Sequence, residues 1–401
     1  MQKYYISEAS IIVNDRYANK IFVYNRQTRQ KFDINIDAFV VLKKIYKYGG
    51  VSAGYLSRVL GSEKSDFIDN FMAAGVLSLE KSKVKYNIKE PKSSFIRLFI
   101  ECTNYCNLRC RHCYGSFGMD EGKEHLRIKE IERLIKNAAD MGFYQLDLTG
   151  GEILLHPDLE QIFKVAYKYG MIVTVFSNLT LLTDRVLQLF HKYSIKRVVT
   201  SIESIVANIH DEFRGKKGAL DNTLANMEKL KQTGLECVVN VVLGKHNVHT
   251  AVETVKYFYN LKYEIVIDFI APLGRATQDL ILSMSESRKI YDKIVEAISI
   301  ERKTGLFCGV GQRMIFVSAT GDIGLCPLLV IDDFVQGNIY RTYNLNNIAH
   351  NIFAKYGRLT CSKDCKMKEF CNGGCRARAF IENGDLTAPY NLYCCLHRVR
   401  I

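Results

Sequence analysis

Phe95-Ile-Arg-Leu-Phe-Ile100 leads through a short connection into Cys106-Asn-Leu-Arg-Cys110-Arg-His-Cys113-Tyr114, and these runs are the most informative part of the chain. The first run is strand-like, which places the three thiols in a polar loop at the mouth of a sheet. Thiolates spaced three and then two residues apart can wrap one inorganic core and leave a four-iron cluster one ligand short of four. An open iron can bind a small chelating molecule, whereas a structural zinc site takes its fourth ligand from the protein. Zinc and buried free thiols are the alternatives for this loop.

The spacing Cys-x3-Cys-x2-Cys, followed by an aromatic residue after a first strand, resembles the signature of the radical S-adenosylmethionine (SAM) enzymes. In that family the cysteines hold a 4Fe-4S cluster whose open iron chelates the amino and carboxylate groups of SAM. One electron, which comes from an external donor, cleaves SAM to a 5′-deoxyadenosyl radical that abstracts hydrogen from the substrate. The resemblance implies that Cys106, Cys110 and Cys113 are metal ligands and that His112 and Tyr114 lie beside the cofactor. For His112, a solvent-facing imidazole is the alternative.

Composition limits the class of protein. A chain of 401 residues with 48% apolar residues is long enough for two or three domains. Thirteen cysteines, with no signal peptide and no apolar run near 18 residues, argue against a disulfide scaffold and a membrane span. We therefore expect a cytoplasmic protein in a reducing compartment, with no membrane partner. The net charge of +13 suits an anionic partner, but the basic residues are spread along the chain and also fit a solvated surface.

Residues 1–90 read as a separate winged-helix unit. Short β-prone runs at 11–13, 20–24 and 32–34 precede three helical patterns and a returning strand at 76–79. A winged helix most often binds DNA, but its recognition helix at 66–74 is acidic and apolar and offers no Arg or Lys. A strand edge beside an apolar helix suits an extended peptide instead. The unit resembles the peptide-recognition domain fused to enzymes that modify ribosomally made peptides, where it captures the leader of the precursor; nucleic acid is not expected.

Residues 95–300 alternate between strands and helices. The predicted strands are 95–100, 144–148, 171–176, 197–202, 237–243 and 264–270, and helices begin near 129, 157, 182, 222, 249 and 285. Alternating βα units predict an α/β fold with a parallel sheet and ligands at the carboxyl ends of its strands. Six units make a partial (β/α)6 TIM-like barrel, which is the catalytic fold that the resemblance implies.

The segment Gly150-Gly151-Glu152 follows the second predicted strand. Glycines let the backbone approach a ligand closely, and a carboxylate can accept hydrogen bonds from an ammonium group. The segment is similar to the family's Gly-Gly-Glu, which holds the methionyl amine of SAM, although the usual following Pro is Ile153 here.

Three later strand ends carry weaker matches to the family. Ser177-Asn178 stands in place of Ser/Thr-Asn-Gly, and Ser201 and Glu203 stand where the family has Ser-x-Asp near the ribose. The Gly274-Arg275 turn resembles a Gly-Arg-Ala turn that backs the adenine. His210-Asp-Glu-Phe-Arg214-Gly215 resembles the His-Asp-x-x-Arg-Gly segment of the peptide-modifying branch. The resemblance implies that the residues of the first three matches bind the cofactor.

Residues 301–401 hold an ordered set of cysteines that resembles the SPASM extension, which binds auxiliary iron–sulfur clusters. The resemblance implies one or two such clusters. One would use Cys308, Cys326 and Cys375, and another Cys361, Cys365 and Cys371 with Cys394 or Cys395. Three residues separate Cys361 from Cys365 where the family has two, and a zinc ribbon is the alternative. Cys102 and Cys237 are expected to be core thiols.

Together these features predict a radical SAM peptide maturase that acts on a ribosomally made precursor, leader plus core. A thioether cross-link is the first expectation, because an auxiliary open iron suits a substrate thiolate, and a carbon–carbon cross-link is the second. One rival is a maturase that oxidises a Cys or Ser of a protein substrate. The other is a metal-dependent winged-helix regulator that binds DNA.

Overall fold

The computed structural model describes residues 2–81, 85–120, 122–298, 308–358, 360, 365, 371 and 373–396. In that part of the chain the strands form two small sheets near the amino terminus and one nine-stranded sheet. No helix among the described residues is both long enough and apolar enough to cross a membrane.

The amino-terminal unit contains short strands and three α-helices. Its elements are β1 (Lys3–Ile6), β2 (Ser10–Asp15), β3 (Lys20–Asn25), β4 (Lys31–Asp33), α1 (Ile36–Lys47), β5 (Val51–Ser52), α2 (Ala53–Leu60), α3 (Lys64–Ala73), β6 (Leu77–Ser78) and β7 (Ile88–Lys89). The strands form the sheets β4-β3-β2-β7 and β5-β1-β6. Asn35 and Ser52 begin α1 and α2 by accepting hydrogen bonds from backbone N–H groups of the first turn. The predicted strands and helices are thus present, β1, β5 and β7 are additional strands that the sequence did not predict, and the winged-helix interpretation stays a prediction.

The central part of the chain alternates between parallel strands and helices. Its elements are β8 (Arg97–Glu101), α4 (Ile128–Asp140), β9 (Gln145–Thr149), α5 (Leu159–Lys168), β10 (Ile172–Phe176), α6 (Asp184–Lys192), β11 (Arg197–Ser201), α7 (Ala207–Arg214), α8 (Ala219–Gln232), β12 (Glu236–Leu243), α9 (Ala251–Asn260), β13 (Glu264–Phe269) and α10 (Met284–Ile298). The six strands β8 to β13 are neighbours in chain order and pair in parallel. The prediction of an α/β fold with a parallel sheet is confirmed.

The large sheet continues past the boundary predicted at residue 301. The remaining elements are β14 (Met314–Val317), β15 (Asp322–Gly324), β16 (Gly337–Asn338), α11 (Leu345–Tyr356), α12 (Arg376–Asn383) and α13 (Asn391–Leu396). The buried strand β14 pairs in parallel with β8, and β15 and β16 follow it in antiparallel pairing. The carboxyl-terminal segment therefore shares a sheet with the barrel, which the sequence did not predict.

Strand β8 shows how alternation builds the two faces of the barrel wall. Leu98 and Ile100 are fully buried in the main core, which the helices complete. Phe99 points the other way, and its ring lies 5.3 Å from that of Phe176 in β10 and 6.0 Å from that of Phe316 in β14. Because successive side chains of a strand alternate, Glu101 shares the inner face with Phe99.

The amino-terminal unit packs against the amino-terminal ends of the barrel strands. Tyr144, directly before β9, stacks edge to face on Phe22 at 5.6 Å and donates a 3.0 Å hydrogen bond to Asp15. Lys89 in β7 is buried and donates to the Tyr169 carbonyl, just before β10, at 2.8 Å. The cysteine loop follows the other end of β8, so the unit and the loop lie at opposite ends of the barrel.

Candidate functional site

The loop that carries Cys106, Cys110 and Cys113 is fixed at the carboxyl ends of the strands. Cys106 and Cys110 are buried and Cys113 is half-buried. Backbone hydrogen bonds join Cys106 N to Gly118 O at 2.8 Å, Arg109 N to Arg214 O at 3.0 Å and Arg111 N to Phe213 O at 2.9 Å. Burial raises the pKa of the Cys106 thiol to about 12, so a metal must displace protons to bind here. The structure therefore brings the three predicted ligands into one fixed loop.

Buried side-chain nitrogens without a hydrogen-bond partner lie beside this loop. Arg214 Nε and Arg275 Nη2 are buried donors with no acceptor within the described part of the chain, and Nδ1 of His112 and of His246 is also buried without a partner there. Buried donors need acceptors, and a thiolate-bound cluster and the carboxylate of SAM are rich in them. The residues present thus fit a cluster with SAM. Among the described residues, no group of three or more His, Cys, Asp or Glu side chains is arranged so that it could hold a single metal ion.

Glu203 lies at the centre of a buried polar network beside Cys110. It is fully buried, and Arg214 Nη2 donates to its Oε1 at 2.7 Å while Nη1 of the same guanidinium donates to Cys110 Sγ at 3.6 Å. His246 Nε2 lies 3.3 Å from the other carboxylate oxygen. Burial alone would raise the pKa of Glu203, but the Arg214 guanidinium beside it holds that pKa well below its usual range. A ribose contact, as the sequence predicts, would have to share this carboxylate with Arg214 and His246.

His112 belongs to a stack of three rings. Its ring lies 4.9 Å from that of Phe213, which in turn stacks on His246 at 3.5 Å. Burial lowers the pKa of His112 to about 4, so its imidazole is neutral near pH 7. One face of His112 is thus covered by Phe213, and the predicted contact with the cofactor, which stays a prediction, would use the other.

The glycines of Gly150-Gly151-Glu152 allow the cysteine loop to approach. A Cβ at Gly150 would lie 2.4 Å from Thr103 O, and one at Gly151 would lie 2.3 Å from Tyr105 O. Any larger side chain would push the loop away. These glycines therefore have a structural use in addition to any contact with SAM.

Glu152 ties the ends of the second and third barrel strands together. Its carboxylate is fully buried and accepts hydrogen bonds from Ser177 Oγ at 2.7 Å, Asn178 N at 2.8 Å and Leu154 N at 3.0 Å. Asn178 also donates to Asn107 of the cysteine loop at 2.9 Å. A carboxylate has about four acceptor positions, so one remains unused by these three donors, and the contact with the amine of SAM stays a prediction. Ser201 lies half-buried at the end of β11.

The Gly274-Arg275 turn holds the far side of the loop. Gly274 has φ +59°, and a Cβ there would lie 2.2 Å from Cys113 O. Arg275 N donates to that same carbonyl at 3.0 Å, and its side chain donates to Cys110 O at 2.9 Å and Phe117 O at 2.8 Å. This predicted cofactor segment therefore fixes the cysteine loop directly.

Glu101 is a buried acidic residue in contact with Tyr114 of the cysteine loop, and it was not among the site residues predicted from the sequence. Tyr114 donates to its carboxylate at 2.6 Å, and Ala319 N donates to the other oxygen at 3.3 Å. Burial raises the pKa of Glu101 to about 7, against smaller lowering effects of these two hydrogen bonds. The signal available in the sequence was an acidic residue at the end of an apolar strand.

The carboxyl-terminal cysteines fall into two sets. Cys326 is buried close enough to Cys375 and Cys308 for their charges to interact, and burial raises the pKa of Cys375 to about 12. Of the second set, Cys361 lies outside the described residues, Cys371 is buried, and three others are half-buried, namely Cys365, Cys394 and Cys395. Both auxiliary clusters stay predictions. Cys102 and Cys237 lie in the core, as expected.

The sequence and the fold of this chain are similar to those of known proteins. Residues 100–258 match the family described as the Radical SAM superfamily. The antilisterial bacteriocin subtilosin biosynthesis protein AlbA of Bacillus subtilis is 29% identical over 71% of this chain and 67% of its own length. An AdoMet-dependent heme synthase of Methanosarcina barkeri is 28% identical over 73% of this chain and 95% of its own. Among solved structures, Streptococcus suis SuiB bound to precursor peptide SuiA is 16% identical, with a TM-score of 0.68 over 98% of this chain and 99% of its own.

Proposed function

This chain is a radical SAM superfamily enzyme with peptide-modifying maturases among its homologues, and we propose that its own substrate is a ribosomally made precursor peptide. Cys106, Cys110 and Cys113 would hold the 4Fe-4S cluster. When bound, the cluster and SAM supply a 5′-deoxyadenosyl radical that takes hydrogen from the peptide. The buried cysteine loop with the unpartnered N–H groups of Arg214 and Arg275 beside it is the observation that carries the proposal, since that arrangement fits an anionic, acceptor-rich cofactor.

The amino-terminal unit is the proposed leader-binding site. Strand β4 is an edge of its four-stranded sheet, and Lys31 and Asp33 at its ends are exposed. An edge strand presents backbone groups to which an extended peptide can add as a further strand. The overlap of SuiB with nearly the whole of this chain supports a common architecture for this unit as well. Helix α3 carries Asp66 and Asp69 but just one basic residue, Lys64, which disfavours DNA as the partner.

The modification we propose is a cross-link, with a thioether first and a carbon–carbon bond second. Forming either bond from a C–H group is a net oxidation, so an electron must leave the substrate. An auxiliary cluster held by Cys308, Cys326 and Cys375 would accept that electron or bind a substrate thiolate. The second set, Cys361, Cys365, Cys371 and Cys394, would hold the other cluster. An external donor would reduce the first cluster.

The proposal is tested by anaerobic reconstitution followed by reduction with dithionite in the presence of SAM. We expect iron near eight to twelve atoms per chain, at about four per cluster, and release of 5′-deoxyadenosine. With the peptide encoded by a neighbouring short reading frame, the product should lose one hydrogen pair per cross-link. Zinc in place of iron, with SAM intact, would contradict the radical chemistry and favour the DNA-binding alternative.

Haem formation is the second candidate function. It is favoured by the heme synthase whose sequence this chain matches over 95% of its length. The two candidates differ in their use of β4, because haem formation gives no role to a leader-binding edge. Replacing Asp33 in β4 by Pro removes a backbone donor that faces away from β3, on the free side of this edge strand, and should abolish peptide turnover. Haem formation that survives this change would support the second candidate. Oxidation of a Cys or Ser in a protein substrate that survives the same change would instead support the maturase of a protein substrate.

A further inference from the structure

We propose that Arg214 is a positioning residue that raises the reduction potential of the cluster held by Cys106, Cys110 and Cys113. In this proposal Glu203 holds the Arg214 guanidinium in place. The inference rests on the cluster assignment made under the proposed function. It gives the His210-to-Gly215 segment a task that is distinct from contact with substrate or SAM.

The backbone around Arg214 is clamped to the cysteine loop. Arg214 is the last residue of α7, and its carbonyl accepts from Arg109 N at 3.0 Å. The next residue, Gly215, has φ +69°, and a Cβ there would lie 2.9 Å from Arg109 O. Asp211 secures the start of α8 by accepting from the N–H groups of Gly218 and Leu220 at 2.6 and 2.9 Å. The end of α7 is therefore held against the loop independently of the Arg214 side chain.

The guanidinium itself is directed at a cluster ligand. Nη1 donates to Cys110 Sγ at 3.6 Å, Nη2 donates to Glu203 at 2.7 Å, and Nε is buried without a partner among the described residues. Arg214 is 6% exposed and Glu203 is 0% exposed, so water does not screen the charges. The free N–H group leaves capacity for a further hydrogen bond to a cluster sulfide.

The other charged groups at this place leave an excess of positive charge beside the sulfur. Glu203 is the carboxylate in contact with Arg214, and Nε2 of His246 and of His112 lies 3.3 and 3.9 Å from its Oε2 and Oε1. Arg275 adds a second guanidinium, which donates to the carbonyl of Cys110. The surroundings of Cys110 therefore include one carboxylate, Glu203, and two permanent cations, Arg214 and Arg275.

Reduction of the cluster adds one electron from an external one-electron reductant, with no bond made or broken. The added negative charge is stabilised by a nearby cation and by N–H donors to sulfur, and both raise the potential of an iron–sulfur cluster. Arg214 supplies both at Cys110. A more easily reduced cluster is the expected consequence.

The test is a redox titration of the reconstituted full chain. The reduced cluster is monitored by its electron paramagnetic resonance signal, and the signal of the first cluster is identified by its change on addition of SAM. R214M should shift the midpoint to more negative potential, and R214K should restore part of the shift. E203Q removes negative charge while keeping the guanidinium and should shift the midpoint in the opposite direction. R109M is the matched control, because the Arg109 side chain is on the same loop but 65% exposed and paired with Asp120; it should leave the midpoint unchanged.

An unchanged midpoint in R214M would overturn the inference, and weaker SAM binding in that case would assign Arg214 to the cofactor. Opposite shifts in R214M and E203Q would support it, since loss of packing alone does not change sign with charge. Iron content measured on each variant identifies any loss of the cluster itself. If the native chain shows no SAM-sensitive signal, the proposed function fails as well.

Discussion

At the scale of single residues, the site depends on groups that hold the cysteine loop as well as on the thiols. Glu152 joins two strand ends, Arg275 binds two loop carbonyls, and Gly274 lets that turn approach. Each position has a residue type that its contact requires, because a buried carboxylate needs donors and a close backbone approach excludes a Cβ.

We expect Gly274→Ala to lose the first cluster. The new Cβ would lie 2.2 Å from the Cys113 carbonyl, so the loop or the turn must move. Gly234→Ala is a matched control with φ +70° and no atom within 4 Å of the new Cβ. It should cost about 1 to 2 kcal/mol from backbone strain alone and keep its iron. Iron per chain, measured after reconstitution of both variants, decides the point; equal iron content would contradict it.

The pH dependence of stability should reveal Glu101. Burial raises its pKa from 4.5 to about 7, so the folded chain binds this proton more tightly than the unfolded chain does. Its contribution to the free energy of unfolding is therefore present below about pH 4.5 and lost as the pH rises through about 7. Glu101→Gln should remove this slope in urea unfolding of the iron-free chain. Tyr114→Phe should move it to higher pH, because the hydrogen bond from Tyr114 lowers the pKa; an unaltered slope in both variants would contradict the assignment.

At the scale of elements, the contact between β2–β3 and the barrel is a small hydrophobic cluster of its own. Ile11, Val13, Phe22 and Tyr24 meet Ile96 and Tyr144 there. Polar contacts surround it, including Arg26, whose guanidinium lies 4.3 Å above the Tyr167 ring. The amino-terminal unit is thus held by packing at the base of the barrel.

We expect Phe22→Ala to loosen this contact by about 3 kcal/mol, the usual cost of removing a buried Phe side chain. Phe22 is 4% exposed, whereas Phe353 in α11 is 48% exposed and provides the control Phe353→Ala. Limited proteolysis near residue 90 should accelerate in the first variant and not in the second. Release of 5′-deoxyadenosine without peptide should persist in both, since the cysteine loop lies at the other end of the barrel.

The elements differ in how far sequence predicted them. The six parallel strands lie within two residues of their predicted bounds, because each is an apolar run between polar turns. Strand β14 is just four residues long and its partner β8 is distant in sequence. Its apolar residues therefore do not indicate that it pairs with β8 in the large sheet. The contact of Arg214 with Cys110 spans 104 positions and likewise has no local pattern. The cysteine loop was predictable because its ligands are close in sequence.

At the scale of the whole molecule, the proposed leader site and the cysteine loop lie at opposite ends of the barrel. Strand β8 has five residues, which corresponds to about 17 Å at about 3.3 Å per residue. A peptide bound at β4 would have to span at least this distance to reach the cysteine loop. The geometry therefore sets a minimum length for the segment between leader and core.

We expect modification to fail when that segment is shorter than about five residues, the number that spans one strand in extended form. Longer segments with added Gly and Ser should remain substrates, since a flexible linker costs little entropy per residue. Leader affinity and cross-linked product, measured on the same series of precursor peptides, separate binding from reach. Full modification of the shortest peptide would contradict capture at the base of the barrel.

The opposite placement of the two ends also bears on how many times one peptide reacts. A leader that stays bound at the base leaves the core free to slide, so successive residues can enter the catalytic mouth before the chain departs. The number of modified residues per encounter then equals the residence time of the leader divided by the duration of one turnover. A leader that binds more weakly would thus give partly processed products at an unchanged rate per step. The number of modified residues per peptide would then be governed by dissociation of the leader rather than by the rate of the chemical step.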